Sequence, residues 1–243
     1  MESSSETATA GQNSDRVLVI MAKAPRLGTV KTRLTASLAP QAVTELYRCL
    51  LGDTLALAQS LGGVEVAIMC PDSDVNELAG MAGSKVSVVA QDGQGLAAGL
   101  TSVFAHFARR HAPRIIAFNS DSPHLPGSVL EKAFEALTVQ DLVVGPTYDG
   151  GYYLVGAIAS QPTLFTSDGM GTGNALDRLL SRARDLRLSV GFVDQFYDID
   201  VAEDLVQLAA DLQLAPSRAP RTALWLQQWG DAVTQLRTGT ADR

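Results

Sequence analysis

The chain has 243 residues, enough for one large domain or two small ones, and 46% of them are apolar, enough for a sizeable core. A formal net charge of −7 argues against a nucleic-acid backbone as the main partner, so an anionic ligand has to be met by a local cluster of Lys and Arg. The two cysteines, Cys49 and Cys70, lack metal-ligand spacing; they fit a reduced, cytoplasmic setting and imply neither a disulfide nor a zinc site.

Residues 1–15 are rich in Ser, Thr and Glu, with no basic start and no apolar core, and read as a disordered tail rather than a signal peptide. No apolar run approaches the ~20 residues that cross a bilayer, so no membrane partner is expected. RVLVIM (16–21) is the first predicted buried strand. The loop that follows, AKAPRLGTVKTRL (22–34), holds Lys23, Arg26, Lys31 and Arg33, and Pro25 and Gly28 keep it irregular. Such a cluster in an acidic protein makes sense if the loop wraps a di- or triphosphate. Arg can fork onto phosphate oxygens, Lys acts as a point charge, and Gly28 lets the backbone approach closely. The bland alternative is a solvated basic loop. The pattern is not a Walker A loop.

Apolar spacing predicts a helix over 40–61, and VEVAIMC (64–70) a second strand closed by Pro71. Asp72 and Asp74 follow that strand and read as caps of the next helix rather than as ligands. A third strand is predicted over 85–90. A Gly-rich turn (91–99, containing Gly95) then opens a helix with Leu96, Leu100, Val103, Phe104 and Phe107 on one face. Backbone N–H groups at such a turn can hold a nucleotide, though a tight β-to-α turn explains the glycines equally well.

RIIAFNSDSPHLP (114–126) is the stretch around which the rest is arranged. Its apolar start reads as a strand buried in a parallel sheet, and Pro123 and Pro126 end it. Asp121 therefore lies just past the carboxyl end of a central strand, where ligands bind in open α/β sheets. A short helix (128–137) and a strand (141–145) follow. In PTYDGGYYLVG (146–156), Asp149-Gly150 is a hairpin signal, so Asp149 has a turn-forming explanation beside an equal claim to a chemical role. Tyr152 and Tyr153 should point to opposite faces of the next strand.

Residues 165–173 form a polar loop and a candidate lid. A helix (174–187) and a strand (188–193) lead into DQFYDID (194–200). Asp200 and Glu203 have the spacing of an N-cap and its capping-box partner, so Asp200 either only starts a helix over 201–212 or is itself a metal ligand. That leaves Asp198 as the better second metal ligand. Pro216 and Pro220 mark a break. Thr222, Trp225, Trp229, Ala232 and Leu236 then share a helical stripe that should dock on its own domain. The implied organisation is a tail (1–15), a main α/β domain (16–214) and a C-terminal helix and tail (215–243). Alternating strands and helices predict a mostly parallel sheet with helices on both faces.

Phosphate-binding cations and carboxylates at strand ends have one economical reading. Asp121 and Asp198 hold Mg²⁺ or Mn²⁺, which bridges a nucleotide diphosphate and stabilises it as a leaving group, with Lys31 and Arg33 sharing the charge. There is no G-x-S-x-G, and three histidines without H-E-x-x-H do not suggest a zinc hydrolase.

MAKAPRLGTVKTRL, NSDSPHLP, YDGGYYLVG and YDIDVAEDL, in that order, resemble small bacterial glycosyltransferase-like proteins of the nucleotide-diphospho-sugar transferase superfamily, often named for arsenosugar biosynthesis. The resemblance covers about residues 17–212. It implies the GT-A fold, a Rossmann-like three-layer α/β/α sandwich. It also implies that Asp121 stands at the metal-binding acidic motif and that Lys31 and Arg33 match the family's KTRL element. Two departures stand out: His124 occupies a place where the family usually has Asp, and GQGLAAGL, in place of a GDLG-type segment, looks more like the turn of nucleotidyltransferases of the same fold.

The leading expectation is metal-dependent glycosyl transfer from a nucleotide-sugar to a small-molecule acceptor. Lys23, Gly28, Lys31, Arg33 and Gly95 would bind the nucleotide phosphates, Asp121 and Asp198 the metal, and Asp149 would be acceptor ligand or base. The runner-up is nucleotidyl transfer from an NTP to a phosphorylated small molecule with release of pyrophosphate. A third reading is a nucleotide-binding module without catalysis.

Overall fold

The structure, a computed structural model, describes residues 14–109, 114–166 and 173–229. Among these, seven strands form one sheet: β1 (Arg16–Met21), β2 (Glu65–Cys70), β3 (Ser87–Ala90), β4 (Arg114–Asn119), β5 (Leu142–Pro146), β6 (Tyr152–Ala157) and β7 (Val190–Phe192). Their order is β3-β2-β1-β4-β6-β5-β7. All neighbours are parallel except β6, which runs antiparallel to both β4 and β5. This is the predicted α/β class.

The central strand β1 pairs with β2 on one side and β4 on the other, so that Val19 lies opposite both Ala67 and Ala117. Its residues Val17 to Ile20 are buried on both faces, which is why its sequence is a continuous apolar run rather than an alternation. The edge strands β3 and β7 are shorter than their apolar runs suggested, a common way of keeping a sheet edge from pairing further.

The helices are α1 (Pro40–Gln59), α2 (Val75–Ala82), α3 (Gly95–Ala108), α4 (Gly127–Ala136), α5 (Ala175–Asp185), α6 (Ala202–Leu214) and α7 (Pro220–Gln228). Successive strand residues face opposite layers. Leu18, Ile20, Ile116 and Phe118 pack with α1, α2 and α4 on one face. Val17, Val19, Ile115 and Ala117 pack with α3 and α5 on the other. Tyr153 joins the first layer, whereas Tyr152 packs against the second, as their adjacency requires.

A third cluster covers the outer side of α1. Leu46 and Leu50 meet Leu205, Leu208 and Leu212 of α6, and Trp225 and Leu226 of α7. The helix α1 is thus buried on two sides. Its Asp53, itself buried, accepts hydrogen bonds from the Thr222 N–H and Thr222 Oγ1, both at 2.8 Å, and from the Arg221 N–H at 3.2 Å. That carboxylate satisfies the first turn of α7, which lacks a local capping side chain. The predicted docking stripe holds for Thr222, Trp225 and Trp229. Ala232, Leu236, most of the N-terminal tail, and residues 167–172 of the candidate lid lie outside the described residues.

Candidate functional site

The carboxyl ends of β1, β2, β3 and β4 open on one side of the sheet, and the loops leaving them build the site. The loop after β1 is firmly held. Asp74 Oδ2 accepts from the Ala24 N–H at 2.9 Å, and Asp74 Oδ1 from Arg26 Nη1 at 2.7 Å. Burial would raise the Asp74 carboxyl, but the Ala24 N–H, Ser73 and Arg26 outweigh it and keep it below its ordinary value. The cap expected of Asp74 is therefore corrected: it makes no side-chain bond to the start of α2 and instead pins a loop 50 residues earlier. Arg26, also paired with Glu77, is used in this anchoring.

Lys31 takes left-handed backbone, φ 48° and ψ 40°, immediately before a 3₁₀ turn at Thr32–Ala36. For a non-glycine residue such a conformation costs about 1–3 kcal/mol and persists only where its surroundings enforce it. Here the enforcement is electrostatic. Lys31 Nζ lies 2.7 Å from Asp121 Oδ2 and 2.7 Å from Asp200 Oδ1, and the side chain is only 7% exposed. Burial by itself would lower the lysine pKa; Asp121 and Asp200 overcome it and hold the ammonium above the usual lysine range. Arg33 stays on the rim, with Nη1 at 3.5 Å from Asp200 Oδ2.

Asp121 is set by the buried face of α1. The Tyr47 hydroxyl is 3.1 Å from Ser120 Oγ and accepts from the Lys23 N–H at 3.2 Å, while Ser120 Oγ donates to Asp121 Oδ1 at 3.2 Å. Burial, together with the Asp121 charge, pushes the Tyr47 hydroxyl up to about 12, so it remains a proton-bearing linker.

Segment 194–200 brings the other carboxylates. Ser122 Oγ donates to the Tyr197 carbonyl at 3.1 Å, and the His124 ring lies 4.8 Å from Phe196 and 4.4 Å from Tyr197, centroid to centroid. Asp121, Asp198 and Asp200 thereby converge, one oxygen of each within 4.8 Å of the others. Asp200 is not the cap its spacing suggested. Asp204 Oδ2 accepts from the Asp200 and Val201 N–H groups, both at 2.7 Å, which caps α6 and frees the Asp200 carboxylate for Lys31. Asp198 is pushed up to about 6 by burial first and then by Asp200 and Asp121, with Lys31 acting the other way.

A cavity of about 660 Å³ runs across this surface. Lys23, Lys31 and Arg33 line one side, and Tyr47, Ser120, Asp121 and Asp200 line it near the strand ends. Pro71, Gln91, Gly93, Gly95 and Leu96 line it beyond the ends of β2 and β3. Gly93 and Gly95 both have positive φ, +79° and +82°, and Gln91 Nε2 bridges their carbonyls at 3.0 and 3.2 Å. The volume suits a nucleotide-sized ligand.

Of the predicted site residues, the structure gathers Lys23, Lys31, Arg33, Gly95 and Asp121 on this cavity, and Asp198 in the acidic group beside it. Two lie apart from the cavity lining. Gly28 has φ +72° with open space around it, so its conformation rather than a close approach accounts for the glycine. Asp149 Oδ1 accepts from Thr147 Oγ1 and the Gly151 N–H, closing the hairpin loop. Gly150 beside it has φ +85°, and a Cβ there would stand 2.0 Å from the Gly173 carbonyl oxygen. Sequence reasoning left Asp200 open between cap and ligand because of its cap-like spacing, and missed Tyr47, hidden in an amphipathic helix.

This fold recurs in solved structures. It is similar to a candidate nucleotide-diphospho-sugar transferase from Desulfovibrio desulfuricans G20, at 25% identity and TM-score 0.85, over 92% of this chain and 98% of that one. It is also similar in fold to 4-diphosphocytidyl-2C-methyl-D-erythritol synthase from Anaerococcus prevotii DSM 20548, at 12% identity and TM-score 0.56, over 83% of this chain and 97% of that one. Both neighbours are named for transfer chemistry that uses a nucleotide-activated donor. Residues 54–172 match the family described as an uncharacterized protein conserved in bacteria (DUF2064). Phosphoenolpyruvate guanylyltransferase from Sphaerobacter thermophilus is 29% identical over 196 residues, 79% of this chain and 92% of that protein.

Proposed function

We propose that the protein is a nucleotidyltransferase that joins an NTP to a small anionic acceptor and releases pyrophosphate. The observation that carries this reading is the single continuous cavity. Its lining runs from Pro71, Gln91 and Gly93 to Lys23, Lys31 and Arg33 and to Asp121 and Asp200. Three cations along one wall suit a triphosphate. The similarity to a guanylyltransferase over most of both chains favours the same order of preference, reversing the sequence expectation that put glycosyl transfer first.

The chemistry follows from the placement. An acceptor phosphate or carboxylate oxygen attacks the α-phosphorus, the bond from that phosphorus to the α,β-bridging oxygen breaks, and pyrophosphate leaves with the electron pair. Lys31 and Arg33 neutralise charge developing on the phosphates, where preorganised donors contribute most. Lys23 and the backbone at Gly95 hold the nucleotide. Asp121, Asp198 and Asp200 form an all-oxygen donor set that fits a hard divalent cation such as Mg²⁺ or Mn²⁺. When bound, that cation supplies Lewis-acid stabilisation of the leaving group. An acceptor already ionised at neutral pH needs no general base, which agrees with the structural use of Asp149 in its hairpin.

The test is pyrophosphate release from GTP, ATP, CTP and UTP with Mg²⁺ or Mn²⁺. Phosphoenolpyruvate is the first acceptor, followed by other small phosphates and carboxylates. One NTP should give pyrophosphate and a nucleotidylated acceptor, and Asp121→Asn should reduce the rate by at least about 100-fold. Release of NDP from a nucleotide-sugar, with no pyrophosphate from any NTP, would overturn this reading in favour of glycosyl transfer.

A further inference from the structure

The four carboxylate oxygens of Asp121 and Asp200 all carry a donor already. Lys31 Nζ is bonded to Asp121 Oδ2 and Asp200 Oδ1, both at 2.7 Å. Ser120 Oγ donates to Asp121 Oδ1 at 3.2 Å, and Arg33 Nη1 approaches Asp200 Oδ2 at 3.5 Å. The ammonium is buried, on a backbone held in the left-handed region, and it sits among the oxygens that would ligate a divalent cation. Metal–oxygen bonds in such sites run about 2.0–2.6 Å. A metal on these oxygens would therefore stand a few ångströms from Nζ, and two cations that close repel strongly in a partly buried site. Ammonium and metal exclude one another here.

We propose that Lys31 is a built-in stand-in for the divalent cation. In the nucleotide-free chain its ammonium holds Asp121 and Asp200 together and keeps metal out. The metal enters with the polyphosphate, whose oxygens offer Lys31 an alternative anion on the cavity wall. Metal and polyphosphate then bind with strong mutual dependence, by the same factor in either order. The inference rests on the reading of Asp121, Asp198 and Asp200 as metal ligands, and goes beyond it by assigning the order in which the site fills.

The experiment is a titration of Mn²⁺, read by the loss of the free-ion paramagnetic resonance signal, into wild type, Lys31→Met and Lys31→Gln. Each is measured alone and with inorganic tripolyphosphate, at pH 7.5 and low ionic strength. Gln keeps a hydrogen-bond donor without the charge, so this variant serves if Met disturbs folding, which circular dichroism monitors. Without tripolyphosphate, the variants should bind Mn²⁺ at least about tenfold more tightly than wild type, because a competing charge is gone. With tripolyphosphate, wild type should gain Mn²⁺ affinity and the variants should gain much less. Equal Mn²⁺ affinity in wild type and both variants without tripolyphosphate, with the ternary complex still forming, would overturn the stand-in while leaving the metal site intact. No Mn²⁺ binding by any of the three proteins under either condition would overturn the metal reading, and the stand-in with it.

Discussion

Replacing His124 with phenylalanine asks what a buried histidine is doing beneath segment 194–200. The ring is 1% exposed, packs on Phe196 and Tyr197, and neither nitrogen has a hydrogen-bond partner among the described residues. Burial, the largest influence, pushes its pKa from 6.5 down to about 4, with Asp211 opposing. The unfolded chain therefore takes up a proton near pH 6.5, whereas the native chain refuses it until about pH 4. Stability then falls as pH drops through that window and is unaffected above it. Each pH unit inside the window is worth about 1.4 kcal/mol, so about 2 kcal/mol is lost by pH 5 and about 3 kcal/mol by pH 4. That is a large share of the 5–15 kcal/mol typical of a folded domain. Phenylalanine removes two unpartnered buried nitrogens, worth about 1–3 kcal/mol, against a packing cost of about 1 kcal/mol or more for the larger ring. Urea unfolding of both proteins at pH 7.5, 6 and 5 measures the difference. The carboxylates and the other two histidines are common to both proteins and cancel. The variant should be at least as stable at pH 7.5 and should gain about 2 kcal/mol on wild type by pH 5. A difference that stays constant across the three pH values would refute the neutral-ring account.

Three further outcomes follow from the same geometry. Asp74→Ala leaves the Ala24 N–H without its partner and should cost about 1–3 kcal/mol in urea unfolding, with at least tenfold weaker nucleotide binding as the basic loop loosens; unchanged nucleotide affinity would show that the loop holds its shape without this anchor. Asp198→Asn should stabilise the metal-free chain at pH 8 by up to about 3 kcal/mol and do little at pH 4. The native carboxyl keeps its proton to about pH 6 while the unfolded one loses it near 3.9, so stability falls as pH rises between those values. An equal effect at both pH values in EDTA would contradict the raised carboxyl. Asp53→Ala strips three donors at the start of α7 of their acceptor and should cost about 2–4 kcal/mol, with faster limited proteolysis between α6 and α7; cleavage no faster than in wild type would mean that apolar contacts alone dock this helix.

Much of the fold was legible along the chain. Strands β1 and β4 were plain because an interior strand covered on both faces is buried throughout and shows an uninterrupted apolar run. The end of β4 also put Asp121 at the ligand edge of the sheet, and Pro25 and Gly28 marked the cationic loop as irregular. These are properties of a few consecutive residues in a common environment. The roles of Asp74, Asp200 and Lys31 were of another kind. Asp74 and Asp200 stand at spacings that local rules assign to helix caps, yet Asp74 holds Ala24 and Arg26, and Asp200 is bonded to Lys31, 169 residues away. A carboxylate has the same local preferences whether it caps a helix or meets a distant ammonium, so spacing cannot choose between them. Only the closing of the sheet, which sets the ends of β1 and β4 beside segment 194–200, decided which cation each carboxylate meets.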